Sequence, residues 1–225
     1  EIGRILGERL NMPVLVDNDV NAMTLAECRF GAAVGYQSVV CIALGTGVGG
    51  GLILDGKLWR GASHSAGELG HVTINAEGPP CRCGGRGCIE TYCSSPAMIE
   101  RATKKLAHGL TPIFKEILDG SMENLSIRKL FAAVRKGDPV AREVIDETAV
   151  YLGAGLAGIV NLLNPDIVVI GGGIADGGGG FIEAVSAEVR RRAFESATEH
   201  IRVARATLGN DAGFIGAGIL GEVVR

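Results

Sequence analysis

Aromatic residues are scarce: six Phe, three Tyr and one Trp make up 4% of the 225 residues. So few flat rings exclude a stacking platform for single-stranded nucleic acid. A surplus of positive charge is also missing. Twenty-two Lys and Arg stand against 25 Asp and Glu, for a net charge of −3. That balance excludes a broad electrostatic grip on DNA, RNA or an anionic membrane surface. The longest apolar run, "AVYLGAGLAGIV", ends before Asn161 and is well short of the ~20 residues that span a bilayer. The opening "EIGRILGERLNMP" is amphipathic and charged, with no basic segment leading into an apolar core, so it is not a secretory signal. Internal repeats, low-complexity linkers and a G-x-x-x-x-G-K-[ST] phosphate loop are all lacking. These absences predict a soluble, cytoplasmic protein that binds neither nucleic acid nor membrane.

What is present is apolar mass and glycine. Hydrophobic residues make up 47% of the chain, enough for the core of one large domain, and 35 glycines come in clusters. Clustered glycine suggests loops where backbone approaches a ligand. A helix is expected at about residues 2–10, then a short strand over Pro13–Val16. A helix from about Val20 to Phe30 follows "DND" (Asp17–Asp19). "SVVCIAL" and "GGGLILDGKL" read as strands joined by a glycine turn. Ser95 and Pro96 read as N-cap and first residue of a helix, and several helices run on to Asn164-Pro165. "DIVVI" is a buried strand that enters a glycine loop, followed by a helix to about Phe194. "IRVARA" is a last strand, and a Gly/Ala-rich helix closes the chain. Mixed strands and helices with glycine loops at strand ends give an α/β class.

Four stretches carry chemistry. "LGTGVGGG" (Leu44–Gly51) contains G-x-G-x-x-G, but a strand follows it where a dinucleotide fold needs a helix. A hairpin of five glycines and Thr46 remains, able to cradle phosphates with its N–H groups. "IGGGIADGGGG" is a second glycine loop, with Gly171–Gly173 open to a flat ring. Asp17, Asn18 and Asp19 precede a helix that one of them caps, which leaves two free, and a carboxylate there suits a general base.

The fourth stretch, "GELGHVTINAEGPPCRCGGRGCIE", holds His71, Cys81, Cys83 and Cys88. One His and three Cys form a tetrahedral zinc set with no open position, so a structural ion is expected; disulfides or inert thiols are the alternatives. Cys28 and Cys41 read as small core hydrophobes, and Cys93 is left without a role. Glu68 and Glu90 bracket the loop. They are either surface acids or, with the second nitrogen of His71, polar contacts for a polyhydroxylated ligand.

Taken in order, "DNDVNA", "LGTGVGGG", "RGASHSAGELGH", "CRCGGRGCIE", "IVVIGGG" and "GNDAGFIGAG" resemble the ROK family of bacterial sugar kinases and sugar-responsive repressors. The resemblance implies a ribonuclease H-like, actin-like ATPase fold that transfers phosphate from Mg-ATP to a hexose primary hydroxyl, glucose being the expected sugar. It implies Asp19 as general base and Asn18, Glu68, His71 and Glu90 as sugar ligands. Gly45, Thr46, Gly47 and Gly49 would meet the phosphates, and Gly172 and Gly173 the adenosine. His71, Cys81, Cys83 and Cys88 would hold structural Zn2+. N-acetylmannosamine, N-acetylglucosamine and fructose are alternative substrates, and a repressor's sugar-binding domain is the alternative function. A first phosphate loop of the D-x-G-G-T type is not found. Residues 1–22 are therefore expected to be a remnant of a small N-terminal lobe. Residues 23–225 would be the large lobe, with its zinc loop at 71–88 and a last helix over about 211–225 that packs on the small one. Such a chain is expected to form a dimer or tetramer and to be inactive alone.

Overall fold

The computed structural model describes residues 1–178 and 180–223. Helix α1 (Ile2–Leu10) is stopped by Asn11 in the left-handed region, φ 50, and buries no residue. The strand expected over Pro13–Val16 does not form. The stretch is extended, but no strand among the described residues lies beside it to take its backbone hydrogen bonds. It runs along α1 instead, with Val14 and Val16 against Gly3. Helix α2 (Asp19–Phe30) follows.

Strands β1 (Val39–Leu44) and β2 (Val48–Leu54) form the expected hairpin, and β3 (Lys57–Leu58) extends it. Then come α3 (Glu90–Cys93), α4 (Ser95–Lys105), α5 (Pro112–Ile117), α6 (Ile127–Arg135) and the long α7 (Pro139–Leu163). The cap of α4 is Ser94, not Ser95: its hydroxyl accepts from the Ala97 N–H at 3.5 Å, which makes Pro96 the second helical residue. Either first-turn position suits proline, because those N–H groups have no partner inside the helix. Asn164, at φ 45, ends α7 as the Asn-Pro pair implies. The chain finishes with β4 (Ile167–Gly171), α8 (Phe181–Arg192), α9 (Glu195–Thr198), β5 (Arg202–Arg205) and α10 (Ala212–Val223). Gly179 of the second glycine loop and the last two residues of the closing helix, Val224 and Arg225, lie outside the described residues.

The five strands form one sheet in the order β3-β2-β1-β4-β5. β1 is parallel to β4, and β4 to β5, while β2 runs antiparallel to both its neighbours. This is the ribonuclease H-like sheet, as expected. Its central strands are buried on both faces, so they read as unbroken apolar runs without alternation. Val40, Ile42, Val168 and Ile170 face the α7–α8 layer. Val39, Cys41, Ile167 and Val169 face α2 and α10. Helix α10 packs on α2, where a side chain at Gly216 would overlap the Ala22 backbone. The lobe boundary expected after residue 22 falls inside α2, which runs unbroken through it.

Candidate functional site

The parallel strands β1 and β4 end together, with Ala43 paired to Gly171. Ligand sites in open α/β sheets form beyond such strand ends. A cleft of about 440 Å³ lies there, walled by Asp19, Glu68, His71, Glu90, the turn Gly45–Gly47 and Gly172. Five segments spread from Asp19 to Gly172 thus meet in one place.

Asp19 stands at the start of α2, exposed. Its Oδ1 accepts from the Val20 N–H at 2.9 Å, and its second oxygen is unspent. Asn18 does not line the cleft. Its Oδ1 caps α2, accepting from Val20 N at 2.8 Å and Asn21 N at 3.2 Å, which leaves its amide NH2 as a donor. Asp17 is not free, contrary to the expectation that two of the three residues would be. Its Oδ2 accepts from Arg60 Nε at 2.7 Å, and its Oδ1 accepts from the Asn18 N–H at 2.8 Å and Asn21 Nδ2 at 2.7 Å. Burial alone would raise the Asp17 pKa; the bonds from Asn21, Arg60 and Asn18 outweigh it and hold the pKa below the ordinary carboxylate value. Arg60 also accepts the Ala66 N–H on its carbonyl at 3.0 Å. It therefore ties the segment that presents Asp19 to the loop that leads to Glu68 and His71. Nothing in sequence marks this pair, whose members are 43 residues apart.

The glycines of the hairpin divide by role. Only Gly45 and Gly47 lie in the turn; Gly49, Gly50 and Gly51 belong to β2. The expected turn of five glycines is therefore shorter, with Gly45 and Gly47 alone in it, while Gly49 lines the cleft from the strand. A Cβ at Gly49 would come 2.5 Å from the Val20 side chain, and Gly50 and Gly51 lie as tightly under the Gly67–Leu69 segment and Thr24. These three let α2 and the 3₁₀ turn Leu69–His71 seat directly on the strand. Gly45 has open space where a Cβ would be; its N–H donates across the turn to the Gly47 carbonyl at 2.9 Å, so the Thr46 and Gly47 N–H groups are the ones the turn leaves for an anion. Gly172, at φ +86, closes β4 against Leu44, and Gly173 has open space. Gly173 lines a neighbouring cavity of about 690 Å³, together with Arg128, Lys129, Arg135 and Asp176. Two adjacent residues, Gly172 and Gly173, thus line the two cavities.

The Cys/His loop forms one cluster. The donor atoms of His71, Cys81, Cys83 and Cys88 all lie within 4.8 Å of one another. His71 Nδ1 is 3.5 Å from Cys81 Sγ, and Cys83 Sγ is 3.7 Å from Cys88 Sγ. A tetrahedral zinc with standard bonds separates sulfurs by about 3.8 Å and nitrogen from sulfur by about 3.6 Å. The donor set and its spacing fit that ion. The Gly85 N–H beside Cys83 lowers its thiol pKa, whereas burial pushes Cys88 up to about 12. With Nδ1 turned to the cluster, His71 Nε2 lies 4.0 Å from Glu68 Oε2. Glu90 opens α3, two residues after Cys88, and its Oε2 accepts from the Val48 N–H at 2.9 Å. The remaining cysteines are core residues: burial pushes Cys28 and Cys93 up to about 12, and Cys41 higher still.

The sheet and the cleft at its parallel strand ends define an actin-like ATPase fold. The chain matches the ROK family over residues 2–223 and belongs to it. It is 37% identical over 219 residues to the glucokinase of Halalkalibacterium halodurans, covering 96% of this chain and 65% of that one. It superposes with a TM-score of 0.87, at 37% identity, on the ROK family glucokinase of Streptomyces griseus solved with glucose and AMPPNP, covering 97% and 71% of the two chains. A ROK family transcriptional regulator, homologous to the E. coli MLC protein, superposes with a TM-score of 0.88 at 30% identity, over 99% of this chain and 55% of that one. The chain thus spans about two thirds of the length of the kinases and about half that of the regulator.

Proposed function

We propose that this chain carries the sugar and phosphate sites of an ATP-dependent hexose kinase, with glucose as substrate and glucose 6-phosphate as product. The observation that carries the reading is the convergence of Asp19, Glu68, His71 and Glu90 with the Gly45–Gly47 turn on one cleft. The similarity to two glucokinases supports it. Asp19 takes the proton of the sugar primary hydroxyl on its unspent oxygen while the hydroxyl oxygen attacks the γ-phosphorus and ADP leaves. General-base help of this kind is worth roughly 10²–10⁴ in rate. Glu68 and Glu90 accept sugar hydroxyl protons, His71 Nε2–H and the Asn18 amide donate, and this polar set selects among sugars. The turn amides and Thr46 hold the phosphates, with Mg2+ arriving on the nucleotide. The adenosine extends past Gly172–Gly173 into the cavity beside Arg128 and Lys129. Zn2+, held by His71, Cys81, Cys83 and Cys88, shapes the loop that aims His71 and Glu90.

A second reading, a sugar-binding effector domain, is favoured by the fit to the transcriptional regulator. The open Gly45–Thr46–Gly47 turn argues for the kinase, since sugar binding alone does not call for it. We further propose that the protein self-associates, because Ile2, Leu10, Met12, Val16 and Phe214 expose apolar surface,. The test of function is a coupled ADP-release assay with MgATP and glucose, N-acetylmannosamine, N-acetylglucosamine or fructose, beside calorimetric titration of each sugar. ADP release that depends on glucose supports the kinase. Because a chain of about two thirds of the kinases' length is expected to turn over poorly alone, binding separates the readings: tight sugar binding with no affinity for Mg-AMPPNP supports the effector domain and sinks the kinase.

A further inference from the structure

The turn Gly45–Gly47 is braced at two points, and both braces come from the chain that directly follows the Cys/His loop. The Ser95 N–H donates to the Gly45 carbonyl at 2.8 Å. Glu90 Oε2 accepts from the Val48 N–H at 2.9 Å and lies 2.8 Å from where a Cβ on Gly47 would stand. Glu90 is also a wall of the sugar cleft. On its other side it lines a smaller cavity of about 310 Å³ that reaches Thr46 and Gly47 from behind. One side chain therefore borders the proposed sugar site while its Oε2 holds the proposed phosphate turn.

We infer that Glu90 couples the two sites, so that sugar and nucleotide bind with positive cooperativity through it. The inference rests on the hexose kinase reading. Its physical basis is the terminal torsion of glutamate, which is broad and loosely held when only one oxygen is engaged. A sugar hydroxyl donating to Oε1 fixes that torsion and holds Oε2 on the Val48 N–H. The turn is then ordered before the phosphates arrive, and the nucleotide does not bear that cost. By linkage, nucleotide raises sugar affinity by the same factor. The side chain serves as a positioning group for the turn in addition to any contact with sugar.

Three variants separate the two contacts. Glu90→Gln keeps an oxygen that can accept from Val48. Glu90→Ala removes both contacts. Gly47→Ala leaves the carboxylate in place but crowds it off the Val48 N–H; Gly47 has no positive φ, so alanine is not strained there. The measurements are amide exchange at Val48, with and without glucose, and the affinity of Mg-AMPPNP with and without glucose. In the wild type, glucose should slow Val48 exchange about tenfold and tighten Mg-AMPPNP about fivefold or more. Glu90→Gln should retain slow Val48 exchange and part of the coupling. Glu90→Ala and Gly47→Ala should exchange fast at Val48 and bind Mg-AMPPNP about equally with and without glucose. Slow Val48 exchange in Glu90→Ala would overturn the brace, whatever the protein binds. Undiminished coupling in both Glu90→Ala and Gly47→Ala would overturn the inference and leave the kinase reading standing. Failure of the wild type to bind glucose would overturn that reading and this inference with it.

Discussion

Helix α2 carries an acid at each end, and the two live in opposite surroundings. Glu27 is 0% exposed. Its oxygens accept from the Ala32 N–H at 2.8 Å, the Leu208 N–H at 2.9 Å and the Thr207 N–H at 3.0 Å, with the Thr207 hydroxyl beside them. Asp19 is exposed and spends one oxygen on its neighbour's N–H. The buried acid is the saturated one. It stitches the end of α2 to the turn after β5, and so holds α10 in place. The exposed acid keeps an oxygen unspent. Burial marks the structural carboxylate here, and unspent hydrogen-bonding capacity marks the one proposed as general base.

The sharpest way to break this comparison is at Asp19. Asp19→Asn should lower turnover by about 100-fold or more while leaving glucose affinity and melting temperature nearly unchanged. A loss below about tenfold, in an assay where the wild type turns over, would make Asp19 a helix-end residue and not the base.

The mirror experiment is Glu27→Ala. It strands three part-buried N–H groups and empties a fully buried position, and should cost about 2–4 kcal/mol in denaturant unfolding,. The molecules that do fold should keep their sugar affinity. If the stability loss falls under about 1 kcal/mol, the stitch is ornamental.

A third test concerns the zinc loop, where buried and exposed groups act together. Cys83→Ser, or a strong chelator, should remove one Zn2+ per chain by elemental analysis and weaken glucose binding about tenfold or more, because His71 and Glu90 lose their aim. Metal-free wild-type protein purified under reducing conditions would count against the ion.

The smallest effect is expected at Asp17, which is partly exposed and shared between Arg60 and Asn21. Asp17→Asn should cost about 1–2 kcal/mol at neutral pH. A pKa lowered on folding contributes stability that is fully present above the unfolded value of about 4 and is lost as pH falls through the folded value. The gap between wild type and variant should therefore close below about pH 4. A gap that persists at pH 2 would assign the effect to shape and not to charge.

Much of this was legible before any tertiary contact was known. The apolar runs gave β1, β2 and β4, Asn164-Pro165 marked the end of α7, and the spacing of His71, Cys81, Cys83 and Cys88 marked the cluster. Even Glu27 had a signal: at a helical period it falls on the same face as Val20 and Met23, an acid where an apolar residue is due. Other readings failed for stated reasons. Pro13–Val16 has strand composition but no partner strand. The run Gly49–Gly51 looked like more of the turn, because composition does not tell a glycine needed for a ligand from one needed beneath a helix.

The sequence by itself determined what is local: periodicity, caps, turns and a ligand set folded into one short loop. These rest on residues within a single turn, helix end or short loop, where the chain's own geometry keeps side chains close. Only the tertiary structure decided that Arg60 holds Asp17, that Glu90 braces Val48 and that Glu27 anchors residues 207 and 208. Those partners stand 43, 42 and 180–181 residues apart. Their meeting depends on how the sheet orders its strands and seats its helices, which the packing of the whole core settles and no short stretch encodes.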